Sequence, residues 1–146
     1  MGKNKETFLS QKQEQKIIEA IRNAEQNTSG EIRVHIDFES VTDHFAKALE
    51  VFSQLGMHQT KNRNAVLLHV SPIDHNFTII GDEGIDKVTP DNFWDEIKNE
   101  VIQHFKQEKY AKGLCVGIER IGYELKQYFP YYEGDQNELP DEISYS

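Results

Sequence analysis

Ile17, Ile18, Ile21 and Ala24 recur at helical spacing behind a Ser10/Gln13 capping-box pattern, which predicts a first helix from Ser10 to about Gln26. Asn27-Thr28-Ser29-Gly30 ends it. From Glu31 to Asp37 the period drops to two. Ile32, Val34 and Ile36 share one face and Arg33, His35 and Asp37 the other, so a strand with one wetter side is expected. Between Asp43 and Leu55, Phe45, Ala48, Leu49 and Phe52 form an apolar stripe with Gly56 just past its end, the pattern of a second helix.

Ala65 to Val70 is a nearly continuous apolar run, as in a central strand covered on both faces. Phe77 to Ile80 follows after only about six residues, too few for a parallel crossover, so the two runs are expected to pair as an antiparallel hairpin. Gly81 to Val88 reads as a glycine- and acid-rich loop. Thr89 and Pro90 are expected to open a third helix that buries Phe93, Trp94, Ile97, Val101 and Phe105. A fourth is expected from about Tyr110 to Phe129, with Leu114, Ile118, Ile121 and Leu125 on its stripe. Gly113, Gly117 and Gly122 lie on or beside that stripe, although each costs about 1 kcal/mol relative to alanine, which points to close packing on the sheet.

A right-handed crossover makes the first two strands parallel, so the expected fold is an α/β domain with a small mixed sheet: a parallel crossover plus an antiparallel hairpin. A chain of 146 residues fits one domain, expected to span residues 1–130. Residues 131–146 are acidic and poor in aliphatic side chains, and are expected to be an unstructured tail. Asp and Glu number 25 against 16 Lys and Arg, a net charge of −9, so neither nucleic acid nor an anionic membrane is an expected partner. No apolar run is long enough for an export signal or a membrane span, and the single cysteine, Cys115, cannot form an internal disulfide. A cytoplasmic location is the expectation.

The topology sorts the polar residues to two rims. One gathers Glu31, Arg63, Asn64 and the loop Gly81-Asp82-Glu83-Gly84-Ile85-Asp86, with Asp91 close by. The other holds Asp37, Glu39, Asp43, Asp74 and His75. On the first rim, Asp82, Asp86 and Asp91 offer the oxygen ligands that calcium or magnesium takes, though without EF-hand spacing. The simpler reading is a tight turn with solvated acids. Arg63 is either an anion anchor or an ion-pair partner of Asp82. His35 and His69 should meet on one sheet face, where buried structural histidines are the simpler alternative to a metal or proton-transfer pair. No zinc-ligand, GxSxG or P-loop pattern is present.

These residues resemble the TPM domain, a family also labelled TPM phosphatase, with relatives in the plant thylakoid lumen and the bacterial envelope. The likeness runs from about Phe8 to Pro130. It rests on Thr28-Ser29-Gly30-Glu31-Ile32, on Arg63-Asn64-Ala65-Val66-Leu67-Leu68, on Gly81-Asp82-Glu83-Gly84-Ile85-Asp86 and on the Phe105, Tyr110 and Gly113-Leu114 pattern. The resemblance implies a three-layer α/β/α sandwich. For function it implies either a non-catalytic binding or accessory module that takes a divalent cation, or a metal-assisted phosphatase acting on phosphate monoesters. Under the second, Asp82, Asp86 and Arg63 are the catalytic candidates. Binding candidates are Asn64, Arg63 and Glu31, and metal candidates are Asp82, Asp86 and Asp91. The implied partner is a protein, such as a membrane-associated TPM relative.

Overall fold

A four-stranded sheet in the order β3-β2-β1-β4 organises the computed structural model of the chain, which describes residues 8–132, 134 and 137–146. The strands are β1 (Glu31–Ile36), β2 (Ala65–Ser71), β3 (Asn76–Gly81) and β4 (Ser144–Tyr145). β1 and β2 pair in parallel, with Glu31 opposite Ala65 and His35 opposite His69, while β2 and β3 form the expected antiparallel hairpin. The helices are α1 (Gln11–Glu25), α2 (His44–Gln54), the single turn α3 (Glu83–Asp86), α4 (Asp95–Lys106) and α5 (Tyr110–Tyr128). The result is a sandwich with helices on both sheet faces, as expected.

Strand alternation assigns each face its own core. Ile32, Val34, Ile36, Val66, Leu68, Val70, Phe77 and Ile79 meet α1, α4 and α5 through Ile17, Ile21, Val101, Leu114, Ile118 and Leu125. The opposite face buries Ala65, Leu67 and Ile80 against Ala48, Val51 and Phe52 of α2 and Met57 of the 3-10 turn that follows it. Each Val, Leu, Ile, Phe or Met among them contributes roughly 1.5–3 kcal/mol through removal from water. α1 starts with the full capping box: Gln13 N donates to Ser10 Oγ at 3.1 Å and Ser10 N to Gln13 Oε1 at 2.9 Å. Asp43 caps α2 through the amide of Ala46 at 3.0 Å. Among the described residues, no helix is long and apolar enough to cross a membrane.

Four expectations are corrected. α2 buries Ala48, Val51 and Phe52, whereas Phe45 and Leu49 are 60% and 44% exposed. The helix lies mainly over β3 and β2, and half of its apolar stripe faces away from the sheet. The acidic loop contains α3, capped by Asp82. α4 starts at Asp95 rather than at Pro90, because the Thr89 hydroxyl turns back to the carbonyl of Ile85 at 2.8 Å and residues 91–94 form turns.

The fourth correction concerns the tail, where residues 137–146 are placed against the domain. β4 pairs in parallel with β1, Ser146 N donates to Ile36 O at 3.0 Å and Phe38 N to Ser146 O at 2.8 Å. Ile143 and Tyr145 pack on the first core and Leu139 on the second. A few aliphatic contacts suffice here because backbone hydrogen bonds to an otherwise open strand edge supply the rest. The polar face of β1 is largely covered: His35 and Asp37, with Glu31 before them, are buried, and Arg33 is half-buried.

Candidate functional site

On the first rim the chain turns sharply before β2, with Arg63 in the left-handed region at φ 50°. Its guanidinium grips Asp82 with two bonds, Nε to Oδ2 at 2.7 Å and Nη2 to Oδ1 at 2.9 Å, and reaches Glu83 Oε1 from Nη1 at 3.2 Å. Asp82 also accepts the amide of Glu83 at 2.8 Å, so this carboxylate is spent on a cap and an ion pair. Gly84 lies against the turn: its amide donates to Arg63 O at 2.9 Å, and a Cβ there would sit 2.3 Å from Asn62 O and 2.5 Å from Arg63 O. Only glycine permits that approach.

Asn64 ties the same corner together. Its carbonyl accepts from Glu31 N at 3.3 Å, its Nδ2 donates to Ser29 Oγ at 3.4 Å, and its Oδ1 is buried without a partner. Burial, followed by repulsion from Asp82 and Asp91, raises the Asp86 carboxyl above its usual range. The structure thus brings Arg63 and Asp82 together as a pair. It does not draw the ligand oxygens of Asp82, Asp86 and Asp91 within 4.8 Å of one another: among the described residues only His35, Asp37 and His69 form such a group.

Glu31 faces elsewhere. Its Oε1 accepts the backbone amides of Glu138 and Leu139, the latter at 3.1 Å, and its carboxyl shares a hydrogen bond with Glu25. Glu25 accepts Ile32 N at 3.0 Å and shares a hydrogen bond with Asp141, whose Oδ1 accepts from Asn137 Nδ2 at 3.0 Å. Glu25 therefore bridges Glu31 on one side and Asp141 on the other, a run of three carboxyls from α1, β1 and the tail whose oxygens do not all lie within 4.8 Å of one another. Arg22 reaches Asp141, at 3.5 Å from a mostly exposed position. Burial pushes Glu25 to about 10, with the Asp141 hydrogen bond adding to the effect. Burial pushes Glu31 to about 7 although two tail amides pull the other way. Glu25, Glu31, Asp141, Asn137, Thr28 and Tyr131 line a cavity of 280 Å³ here.

Sequence reasoning found Glu31 but missed its partners. Glu25 reads as the last residue of an amphipathic helix and Asp141 as part of a polar tail, and no local spacing links positions so far apart. Other candidates are quieter. Cys115 is half-buried and burial raises its thiol pKa, the reverse of what a nucleophile needs. His35 and His69 do meet, with ring centroids 5.7 Å apart.

The comparisons bear on the family and the fold. The model of the TPM domain matches residues 3–124. Among solved structures, the BA42 protein of the psychrophilic bacterium Bizionia argentinensis, determined by NMR, shares 45% identity at a TM-score of 0.92. The match covers 98% of this chain and 99% of that one. The N-terminal domain of a protein from P. gingivalis is 21% identical at a TM-score of 0.70, covering 87% of this chain and 83% of that chain. The N-terminal domain of the cg2496 protein of Corynebacterium glutamicum is 16% identical at 0.62, covering 92% and 79%. The last two show the fold alone. No curated protein matches the chain. With a family model that spans most of its length and a fold matched end to end by BA42, the chain belongs to the TPM domain family.

Proposed function

We propose that the chain is a non-catalytic binding and accessory module whose C-terminal segment is fixed by a hard divalent cation, calcium or magnesium, at Glu25, Glu31 and Asp141. The observation that carries this reading is the run of carboxyls in which Glu25 contacts both Glu31 and Asp141, two of them raised to about 10 and about 7, with the mostly exposed Arg22 paired to Asp141 at 3.5 Å. Mutually close, poorly hydrated carboxyls are destabilised as anions, and a doubly charged cation with oxygen preference removes that penalty. The tail amides already on Glu31 connect the cation to the placement of residues 137–141. Tyr131, exposed at this cavity, and the exposed Tyr132 that follows it in sequence supply the side-chain type that protein interfaces favour, so the partner is a protein and the cation sets its docking surface.

Metal-assisted hydrolysis of phosphate esters has less support. Arg63, the residue that would steady the phosphate, is committed to Asp82, and the net charge of −9 repels anionic substrates.

Calorimetric titration of calcium and magnesium into metal-free protein tests the reading. Binding that is lost in the Glu25→Gln, Glu31→Gln double variant and kept in the Asp82→Ala, Asp86→Ala double variant supports it. The opposite pattern moves the cation to the acidic loop, and no binding to the wild-type protein refutes the proposal.

A further inference from the structure

At the other end of the sheet, where β1 and β2 run parallel in register, His35 stands beside His69 with ring planes 18° apart. Asp37 follows His35 on the same face and places Oδ2 3.2 Å from His69 Nε2. One ligand atom from each of the three lies within 4.8 Å of the other two, and the residues are 4%, 1% and 0% exposed for His35, Asp37 and His69. The outer Asp37 oxygen, Oδ1, is anchored by the amide of Glu39 at 3.0 Å.

The arrangement departs from that of ordinary core histidines in two respects. Hydrogen bonding is incomplete: His69 Nδ1 and Ser71 Oγ are buried with no partner, where buried polar atoms are normally paired. The donor set of two imidazoles and one carboxylate is also the kind that holds zinc-class ions with a further position open.

We propose that His35, Asp37 and His69 form a three-ligand site for one divalent transition-metal ion of the zinc class. The 3.2 Å between His69 Nε2 and Asp37 Oδ2 already suits two atoms on one tetrahedral ion, whose bonds of about 2.0–2.1 Å set neighbouring ligands about 3.3 Å apart. Ser71 Oγ, the next outward position on β2, stands on the same face.

His35 must turn to join the ion, because imidazole binds a metal in the plane of its ring and the two rings are stacked. In that turn it gives up its hydrogen bonds to Ser144 Oγ and Ser146 Oγ, both 2.7 Å. Metal loading is thereby coupled to the grip on β4, the strand that closes the sheet. The site is independent of the carboxylates at Glu25, Glu31 and Asp141, which favour a hard ion.

The test is titration of cobalt(II), as a spectroscopic probe, and of zinc into metal-free full-length protein. The expected result is one equivalent of cobalt with the visible absorption of a tetrahedral site, displaced by zinc and not by excess calcium. His69→Gln and Asp37→Asn should each weaken it at least about tenfold, while the Glu25→Gln, Glu31→Gln double variant keeps it. Ring nitrogen resonances of both His35 and His69 in the wild-type protein must shift with zinc, which keeps the test open if a variant fails to fold. Absence of the cobalt signal, shifts confined to His58, His75 or His104, or binding unchanged in folded variants would each overturn the proposal.

Discussion

Gly122→Ala puts a gain and a loss in direct opposition at the seam between α1 and α5. The gain is helix propensity, about 1 kcal/mol for alanine over glycine inside a helix. Against it, the added Cβ would lie 2.7 Å from Ala24 Cβ and 3.2 Å from Ala24 Cα, where carbon contacts are comfortable at about 3.5–4.0 Å. One of those atoms is backbone and the other has no rotamer, so the strain is relieved only if the helices part by the better part of an ångström. Overpacking of this kind costs typically about 1–3 kcal/mol, and the seam is held by many contacts along both helices. The loss wins, by about 1 kcal/mol net, which for a chain of this size lowers Tm by roughly 3–5 °C. Calorimetry at fixed pH measures it. Ala24→Gly in the Gly122→Ala background vacates the space and should show a favourable coupling in the double-mutant cycle. Since Glu25 follows Ala24, calcium affinity should fall as well. A Gly122→Ala protein as stable as the wild type, or a cycle with no coupling, would sink the packing argument.

Glu25→Gln should stabilise the metal-free protein at high pH. The folded pKa is raised, so this group's contribution is complete below about 4.5 and is lost as pH rises towards about 10, and glutamine removes that loss. The Tm difference between variant and wild type in the presence of chelator should therefore grow from pH 5 to pH 9, and a constant difference would contradict the raised pKa. His35 works in the opposite direction, its depressed pKa removing stability as pH falls from about 6.5 through about 4. His35→Gln should accordingly flatten the acid side of the Tm profile. Arg63→Ala should lower Tm more than Glu83→Ala does, because it strands the buried Asp82 while Glu83 is a solvated second contact. Equal effects would show that the Asp82 pair contributes little.

The layers of the fold were legible where one face of an element decides its burial. Ile32, Val34 and Ile36 announce a strand by period two, and Ser10 with Gln13 announces a helix start through local hydrogen bonds. The hairpin followed from connection length alone. Gly84 and Gly122 also stood out in the sequence, but what each avoids, the carbonyls of Asn62 and Arg63 in one case and Ala24 in the other, belongs to chain segments brought close by folding.

What the sequence by itself determined, then, is whatever depends on neighbours within a few residues: element type, the buried face of most elements, the sheet's mixed character and the family. Tertiary structure decided the rest. It turned half the apolar stripe of α2 to solvent, since a helix covers only the strands beneath it. It made a strand of a tail that is poor in aliphatic residues, since the edge of β1 offers backbone bonds to any chain that reaches it. It also joined Glu25, Glu31 and Asp141 into one cluster. The energy of a carboxylate depends on its distance from water and from other charges, and those distances do not exist until the chain is folded.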